Sequence, residues 1–217
     1  MKLKSLLRHI AMWFVLIGSL IMTSCDSFNE DLPECRLFVK FKYDYNMEFA
    51  DAFHSQVDKV ELYVFDKDGK FLFKQTEEGS TLGTGSYLME VKLPVGQYQF
   101  MAWAGAHDSY DITSLQAGVS SIADLKLQLK REETLIIDKE LEPLWYGEIN
   151  NVDFTGITDQ TEVINLIKDT NKVRFVFQGS NEDSWGVDVN AYTYEIIESN
   201  GYLAHDNSLL GDDNLSF

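Results

Sequence analysis

Cysteine, proline and basic residues are scarce in this chain, and each shortage excludes a class of protein. The 217 residues include only two cysteines, Cys25 and Cys35, which are too few for a disulfide framework and do not form a CxxC zinc or thioredoxin-type motif. Three prolines exclude a proline-rich stalk. Eighteen basic residues against 35 acidic ones give a formal net charge of −17. Because an acidic surface repels phosphate backbones and anionic membranes, we expect no nucleic-acid partner and no electrostatic membrane binding.

The rest of the composition is that of a folded globular protein. Apolar residues make up 45% of the chain, charged residues 24% and aromatic residues 13%. The length allows one large domain or two small ones, each with a core large enough to fold. Aromatic side chains fit the half-buried surface of a pleated sheet, so this composition favours β-structure.

The first 24 residues have the organisation of a bacterial secretory signal. Lys2, Lys4 and Arg8 precede an apolar run over residues 10–22, which is too short to span a bilayer comfortably. Small residues follow, and cleavage after Ser24 would leave a cysteine as the first residue of the mature chain. We therefore assign residues 1–24 as a lipoprotein signal peptide.

The end of this signal resembles the lipobox of bacterial lipoproteins, in which the cysteine thiol is diacylated before cleavage. Met22 stands where leucine is usual, and ordinary secretion with a coincidental cysteine is the alternative. Each buried methylene contributes roughly 0.8 kcal/mol, so two or more acyl chains give stable anchoring where one does not. The sequence thus predicts lipidation at Cys25 and attachment to the outer membrane through N-terminal acyl chains.

An acidic stretch without periodicity follows Cys25 and predicts a flexible spacer over residues 25–34. It also resembles the acidic export tags of surface lipoproteins in the Bacteroidetes, which favours a surface-exposed location. Removal of residues 1–24 takes away three positive charges, leaving 15 basic and 35 acidic residues and a net charge of −20. The acidity therefore belongs to the exported part.

Period-two patterns from Cys35 onward predict strands with one buried face. The first has Leu37, Val39, Phe41, Tyr43 and Tyr45 on that face. Residues 57–65 are more continuously apolar, as in a strand covered on both faces, and turn at 66–69 into a strand over 71–73. Residues 87–93 and 98–104 alternate around Pro94-Val95-Gly96, which predicts a second hairpin.

Later segments predict further strands and two short helical turns. Ala50, Phe53 and Val57 indicate one turn, and residues 112–122 indicate another, interrupted by Gly118. Leu125 to Leu129 predicts a strand that turns into 134–137 and completes a seven- or eight-strand antiparallel set. We place a domain boundary near residue 147, which gives a β-sandwich over residues 35–147.

A second β-sandwich domain is expected over residues 148–217. Strands are predicted at 163–167, 173–177 and 192–197, and Asn200-Gly201 predicts a hairpin toward Tyr202 and Leu203. About four strands are fewer than a closed sandwich needs. Either this domain is open by design or the sequence is truncated, and we expect truncation.

Motifs of catalysis are missing from the sequence. It contains no GxSxG, HExxH, GxxxxGKS/T or GxGxxG pattern. The histidines of the mature chain, His54, His107 and His205, are widely spaced and are interpreted as ordinary surface or core residues. We therefore predict no enzyme, no catalytic residue and no cofactor.

Acidic loops are interpreted as solvated surface rather than as metal sites. Asp66-x-Asp68-Gly69 resembles the start of a calcium loop but lacks the third oxygen ligand and the later bidentate Glu, so a hairpin turn explains it. Asp108, Asp111 and the pair Asp212-Asp213 lie in loops, where acids are usually exposed. No metal site is predicted.

Cys35 has two interpretations. It is either a small buried hydrophobe at the start of a strand or one half of a disulfide whose partner lies beyond the given residues.

Several segments together resemble the FimB/Mfa2 family of fimbrial anchor lipoproteins of the Bacteroidetes. These are Phe41-Lys42-Tyr43-Asp44-Tyr45-Asn46-Met47 with Ala50-Asp51-Ala52-Phe53, Val60-Glu61-Leu62-Tyr63-Val64-Phe65-Asp66, Leu93-Pro94-Val95-Gly96-Gln97-Tyr98, Ala102-Trp103-Ala104-Gly105, Leu144-Trp145-Tyr146-Gly147, Lys168-Asp169-Thr170-Asn171-Lys172-Val173-Arg174, and Asn200-Gly201-Tyr202-Leu203 with Asp206-Asn207. The resemblance runs from the lipobox nearly to Phe217.

The resemblance implies an all-β fold of two tandem transthyretin-like antiparallel β-sandwich domains, with the second incomplete here. It implies a lipid-anchored minor subunit that tethers a fimbria to the outer membrane, influences its length and holds a fimbrial shaft subunit by β-strand addition. A surface lipoprotein that binds glycans is the alternative, with Trp185 the best exposed candidate and Trp103 and Trp145 the others. A hydrolase with its active residues outside this sequence is a weaker alternative.

Overall fold

The computed structural model describes residues 35–176 and 188–217. The signal peptide (1–24), the spacer (25–34) and Trp185 lie outside the described residues.

Strands dominate the described residues. Each strand is bounded as follows: β1 Leu37–Lys42, β2 Lys59–Asp66, β3 Phe71–Glu78, β4 Met89–Val91, β5 Gly96–Ala104, β6 Tyr110–Ile112, β7 Leu127–Leu129, β8 Trp145–Phe154, β9 Gln160–Asn165, β10 Ile167–Lys168, β11 Ile197–Glu198, β12 Tyr202–Leu203 and β13 Leu215–Ser216. Within residues 35–176 and 188–217, helical structure is limited to α1 (Phe53–Gln56) and two 3-10 turns, Ile122–Asp124 and Val189–Ala191. The prediction of an all-β chain is confirmed.

Two sheets form a sandwich. A three-stranded sheet has the order β4-β1-β9, and a five-stranded sheet has the order β10-β8-β5-β2-β3. The first core lies between them and contains Leu37, Val39, Phe41 and Tyr43 of β1 and its continuation, as the alternation predicts. Tyr45 differs, because the strand ends at Lys42 and this side chain is 81% exposed.

The five-stranded sheet is covered on its other face as well. Along β5, Phe100 and Ala102 enter the first core, whereas Met101 and Trp103 enter a second one. This second core is closed by residues 106–144, including β6 and β7, and by β12 and β13 from the C-terminal part. Burial of six consecutive side chains in β2 confirms the prediction of a strand covered on both faces.

One predicted hairpin is confirmed, and two others are wrong because the strands on either side of the turn pair with other strands. The hairpin over 66–69 joins β2 and β3, but Pro94-Val95-Gly96 crosses between sheets, since β4 pairs with β1 while β5 pairs with β2 and β8. Asn200-Gly201 forms no hairpin, because β11 pairs with β13 and β12 with β7. An alternation of period two in the sequence shows which face of a strand is buried, but it does not show which other strand it pairs with.

The middle and C-terminal segments also depart from expectation. Residues 134–137 do not pair with β7, whose neighbours are β6 and β12; Ile136 instead bridges Ser216. Residues 173–176 and 192–196 are not in strands, and residue 177 lies outside the described part. The apolar side chains of residues 173–176 and 192–194 are exposed rather than buried in a core. The pairings within β1 to β7 are all antiparallel, as predicted, and β1 pairs in parallel with β9, which lies beyond the predicted set.

Strand β8 crosses residue 147, where the sequence predicts a domain boundary. It pairs with β5 from Trp145 to Phe154, and β9 then joins β1 in the other sheet. The N-terminal sandwich therefore extends to about Leu166, which is 1% exposed in its core. A second sandwich over the later residues stays a prediction.

Candidate functional site

The outer edge of β9 is the most open sheet edge among the described residues. On its inner side β9 is bonded to β1: the Gln160 N–H donates to the Arg36 carbonyl at 2.9 Å, and the Leu166 N–H donates to the Lys42 carbonyl at 2.7 Å. Because alternate residues of a strand direct their backbone groups to opposite sides, the even-numbered residues bond β1. The backbone groups of Thr161, Val163 and Asn165 therefore point outward.

The side chains of this edge suit an added strand. Ile164 is fully buried in the core, while Thr161, Val163 and Asn165 are exposed and carry no charge. The one charged residue of β9 is Glu162, which accepts a 2.7 Å hydrogen bond from the Gln160 side chain. Edges that must not pair usually carry lysine, proline or a bulge, and β9 has none of these.

The other sheet edges are better protected. Strand β3 carries the charged residues Lys74, Glu77 and Glu78. It also contacts β4, because the Gln75 side chain donates to the Glu90 carbonyl at 3.1 Å. Strand β4 has only three residues and β10 only two. Strand β9 is thus the longest edge in the described part of the chain that carries no lysine, proline or bulge.

A second feature is a polar cleft on the face of the five-stranded sheet that carries the second core. Its volume is about 350 Å³, and it lies between β2, β3 and residues 106–115. The Glu61 side chain is 9% exposed there; it accepts from the Tyr63 hydroxyl at 2.7 Å and from Lys74 Nζ at 3.0 Å, and Lys59 Nζ is 3.7 Å away. Burial, followed by the charge of Glu61, raises the pKa of Tyr63, so the phenol stays a hydrogen-bond donor.

Sequence reasoning did not single out this cluster. Its signal is a glutamate inside the apolar run of β2, at a position where the neighbouring side chains are buried. A charge at such a place requires partners of opposite charge, and the cations come from β2 and β3.

The predicted special residues fall in different places. Cys25, the predicted lipidation site, lies outside the described residues. Cys35 is a free thiol, partly buried against the first core, which fits its interpretation as a small hydrophobe. Its disulfide alternative stays a prediction.

The histidines and acidic loops are not brought together into one site. His54 is exposed on α1, the His107 ring lies 2.9 Å from Asp58, and the backbone carbonyl of His205 accepts from Tyr146. Asp66 Oδ1 accepts from the backbone N–H groups of residues 68 and 70, which is the role expected in a hairpin turn. No cluster of three metal-ligating side chains occurs in residues 35–176 and 188–217.

Asp212 differs from the prediction of a solvated acid, whereas Asp213 is exposed as predicted. Asp212 is 1% exposed in its side chain and contacts Arg131, which also pairs with Asp213 at 2.6 Å. Because Arg131 and Asp212 are 81 positions apart, no local sequence pattern indicates that they form a pair. The lysine at 130 lies 3.6 Å from Asp111, whose side chain remains exposed.

The tryptophans do not form a sugar-stacking surface in the described residues. Trp103 is fully buried, as expected for a core residue, and Trp145 is 1% exposed, so neither ring is free to stack on a ligand. Within the same residues, no helix is long and apolar enough to span a bilayer.

Comparison with known proteins connects these features to a family. Residues 32–217 match the model of the fimbrillin-A associated anchor proteins Mfa1 and Mfa2. The minor fimbrium anchoring subunit Mfa2 of Porphyromonas gingivalis is 23% identical over 160 residues, which cover 70% of this chain and 49% of that protein. The solved structure of the fimbrial anchor protein Mfa2 from P. gingivalis matches with a TM-score of 0.63 and 20% identity, covering 85% of this chain and 66% of that one.

A more similar structure comes from Bacteroides thetaiotaomicron. It is 74% identical, has a TM-score of 0.81 and is described as a candidate polysaccharide-binding protein. The match covers 85% of this chain and 64% of that one. This chain therefore spans about half to two thirds of the length of these relatives.

Proposed function

Because the chain belongs to the family of fimbrillin-A associated anchor proteins, we propose that it is a lipid-anchored minor subunit that tethers a fimbria to the outer membrane. It influences fimbrial length and holds the neighbouring shaft subunit by β-strand addition. The observation that carries this proposal is the open outer edge of β9, whose exposed side chains at 161, 163 and 165 carry no charge.

Strand addition uses the backbone of this edge as its main source of affinity. Thr161, Val163 and Asn165 direct their N–H and C=O groups away from β1 over about 13 Å, given a rise of about 3.3 Å per residue. The Asn165 carbonyl lies close to Gly147 of β8, so Thr161 and Val163 offer the most accessible groups. A donor segment in register replaces the water bound to these groups with ladder hydrogen bonds. Alternate side chains of the donor then lie over the sandwich core, which sets the register.

The N-terminal end is compatible with a tether. Cys35 lies ten positions after Cys25, and the described chain enters β1 two residues later. Fully extended, ten residues reach roughly 33 to 36 Å, so an acylated Cys25 would leave the sandwich room to stand clear of the headgroups.

Replacement of the lipidated cysteine tests the tether. In cells that carry Cys25→Ala, we expect intact fimbriae to be shed into the medium, because the base subunit lacks its acyl chains. Fimbriae in the medium and on cells are quantified by immunoblotting, with Cys35→Ala as the matched control. Full retention of fimbriae by Cys25→Ala cells would contradict the proposal.

Removal of one backbone donor tests strand addition. Val163→Pro deletes an outward N–H of β9 without touching a hydrogen bond to β1, so the fold should persist while binding of the purified shaft subunit weakens at least tenfold. Val163→Thr keeps the N–H and changes only the side chain, and it should bind as the unmodified chain does. Equal affinity of both variants would argue against the β9 edge.

Glycan binding is the second candidate function, and the polar cleft favours it. The B. thetaiotaomicron relative is described as a candidate polysaccharide-binding protein, and the cleft offers Lys59, Lys74, Tyr63 and His107 as polar contacts. Titration of the chain with acidic and neutral oligosaccharides tests it. Binding that is lost in Lys74→Ala and kept in Lys92→Ala would support this function; no binding to any sugar would exclude the cleft as its site.

A further inference from the structure

The loop that follows β1 presents three large apolar side chains to solvent. Tyr45 is 81% exposed, Met47 94% and Phe49 91%, all within five residues. Two aromatic rings of this kind each contribute roughly 150 to 250 Å² of surface when they become buried. Scattered single exposures are ordinary in proteins, but three such side chains in one short loop indicate a contact surface.

This loop is held in place by its own hydrogen bonds. At its base, Asp51 Oδ1 accepts from the Tyr43 N–H at 3.0 Å and from the Phe53 N–H at 3.1 Å, and the Ala52 N–H donates to the Tyr43 carbonyl at 2.8 Å. The loop over residues 44–51 is therefore closed at its neck. We call it the β1 loop.

Asn46 braces the interior of the β1 loop. Its Nδ2 donates to the carbonyls of Tyr43 at 2.9 Å and Ala50 at 2.7 Å, and its Oδ1 accepts from the Glu48 N–H at 2.9 Å. Phe49 has a positive φ of 53°, a conformation that is unfavourable for a bulky residue. The hydrogen bonds of Asn46 thus hold this unfavourable backbone conformation in place.

The charges around the three side chains identify the occupant. Residues 44–51 contain Asp44, Glu48 and Asp51 and no basic residue. Asp44 is paired with Lys42 at 2.5 Å, and Glu48 is exposed. An acidic rim disfavours an anionic membrane, and it disfavours a second copy of this chain, which carries the same charge. Together, the apolar side chains and the acidic rim of the β1 loop are complementary to a protein surface that has an apolar pocket and a basic rim.

The position of the loop connects it with the β9 edge. The last bond between β9 and β1 joins the Leu166 N–H to the Lys42 carbonyl, and the β1 loop begins two residues after Lys42. A segment paired along β9 would therefore end beside the loop.

We infer that the β1 loop is a second contact for the neighbouring fimbrial subunit, with Tyr45, Met47 and Phe49 inserted into an apolar pocket whose rim is basic. This inference rests on the proposed function, and it adds side-chain selectivity to the backbone pairing at β9. Burial of exposed aromatic and methionine side chains at an interface centre accounts for much of the affinity in protein complexes.

Binding of the purified shaft subunit to the full chain tests the inference. We expect Met47→Ser and Phe49→Ser each to weaken binding at least tenfold, with the unfolding temperature unchanged because both side chains are exposed. Ile157, which is 78% exposed in the turn before β9 at the opposite end of the sheet, provides the control. Ile157→Ser should bind normally. Glu48→Lys should slow association at low salt.

Crosslinking identifies what contacts the loop. When benzoylphenylalanine replaces the residue at position 47 in fimbriated cells, we expect crosslinks to the shaft subunit within five to ten residues of that subunit's basic side chains. The same photoreactive residue at position 157 should give no crosslink to the shaft subunit. Crosslinks to another copy of this chain, or co-sedimentation of the Cys25→Ala chain with phosphatidylethanolamine–phosphatidylglycerol vesicles that is lost in Phe49→Ser, would overturn the inference.

The two proposals fail separately. If Val163→Pro abolishes binding of the shaft subunit while the loop variants bind normally, the loop inference is wrong and the β9 edge stands. If the unmodified chain does not bind the shaft subunit at all, the proposed function itself is wrong.

Discussion

At the scale of single residues, Asp169 is the carboxyl group with the most unusual environment in the described chain. Burial raises its pKa to about 6, and the 2.8 Å hydrogen bond from Asn207 Nδ2 lowers the pKa by a smaller amount. The second carboxyl oxygen of Asp169 is buried without a hydrogen-bond partner. The ionised form is therefore disfavoured relative to its unfolded value of about 3.9.

This environment predicts a measurable pH dependence. Between about pH 4 and pH 6 the folded chain binds more protons at Asp169 than the unfolded chain, so this group's contribution to the free energy of unfolding falls as pH rises. Asp169→Asn should remove that fall and raise stability near pH 7 by about 2 kcal/mol. Urea unfolding at pH 4.5 and 7.5 measures it, with exposed Asp153→Asn as the control; equal pH profiles for the unmodified chain and Asp169→Asn would contradict the prediction.

At the scale of elements, Gly147 of β8 lies against the end of β9 in the other sheet. A Cβ atom at this position would lie 2.6 Å from Ile164 Cγ2 and 2.8 Å from the Asn165 carbonyl oxygen. The glycine thus allows the end of β9 to pass directly over β8.

Gly147→Ala should cost more than about 2 kcal/mol, because the backbone of β9 must move away from its bonds to β1. Gly85→Ala is the matched control, since no atom lies within 4 Å of its Cβ position. That change should be neutral or slightly stabilising. Denaturant midpoints compare the two, and a similar small effect for both would show that the sheets adjust freely.

Individual strands were predictable from the sequence, whereas their partners were not. Leu37, Val39 and Phe41 of β1 and Phe100, Met101 and Trp103 of β5 lie on the expected faces, because alternation reports burial directly. The strands on either side of Pro94-Val95-Gly96 alternate apolar and polar residues just as the strands of a hairpin do, so the sequence does not distinguish this crossing between sheets from a hairpin. The β9 edge and the exposure of Tyr45 depend on where pairing stops, which is a property of the assembled sheets.

At the scale of the whole molecule, one buried ion pair joins distant parts of the chain. Arg131, just after β7, is 15% exposed in its side chain and contacts Asp212, which is 1% exposed. The pair holds the approach to β13 against the second core. Because the bridged residues are far apart in sequence, the contact ties the C-terminal part to the middle of the chain.

Removal of one partner leaves the other charge buried. Asp212→Ala should therefore lower the free energy of unfolding by about 3 kcal/mol. Asp213→Ala removes a neighbour that is 67% exposed and pairs with the same arginine at 2.6 Å, so its effect should stay below about 1 kcal/mol. Chemical denaturation distinguishes the two variants, and equal losses would show that Asp212 behaves as a surface charge.

The order in which the covering strands occur along the chain has a consequence for synthesis. Residues 35–168 contain both sheets of the sandwich, but β12 and β13, which help to close the second core around Trp103, come only at Tyr202–Leu203 and Leu215–Ser216. A nascent polypeptide emerging from its N-terminus therefore keeps one side of the five-stranded sheet incompletely shielded until more than 210 residues have been made. Holdase chaperones that recognise exposed apolar surface have a defined target during this interval.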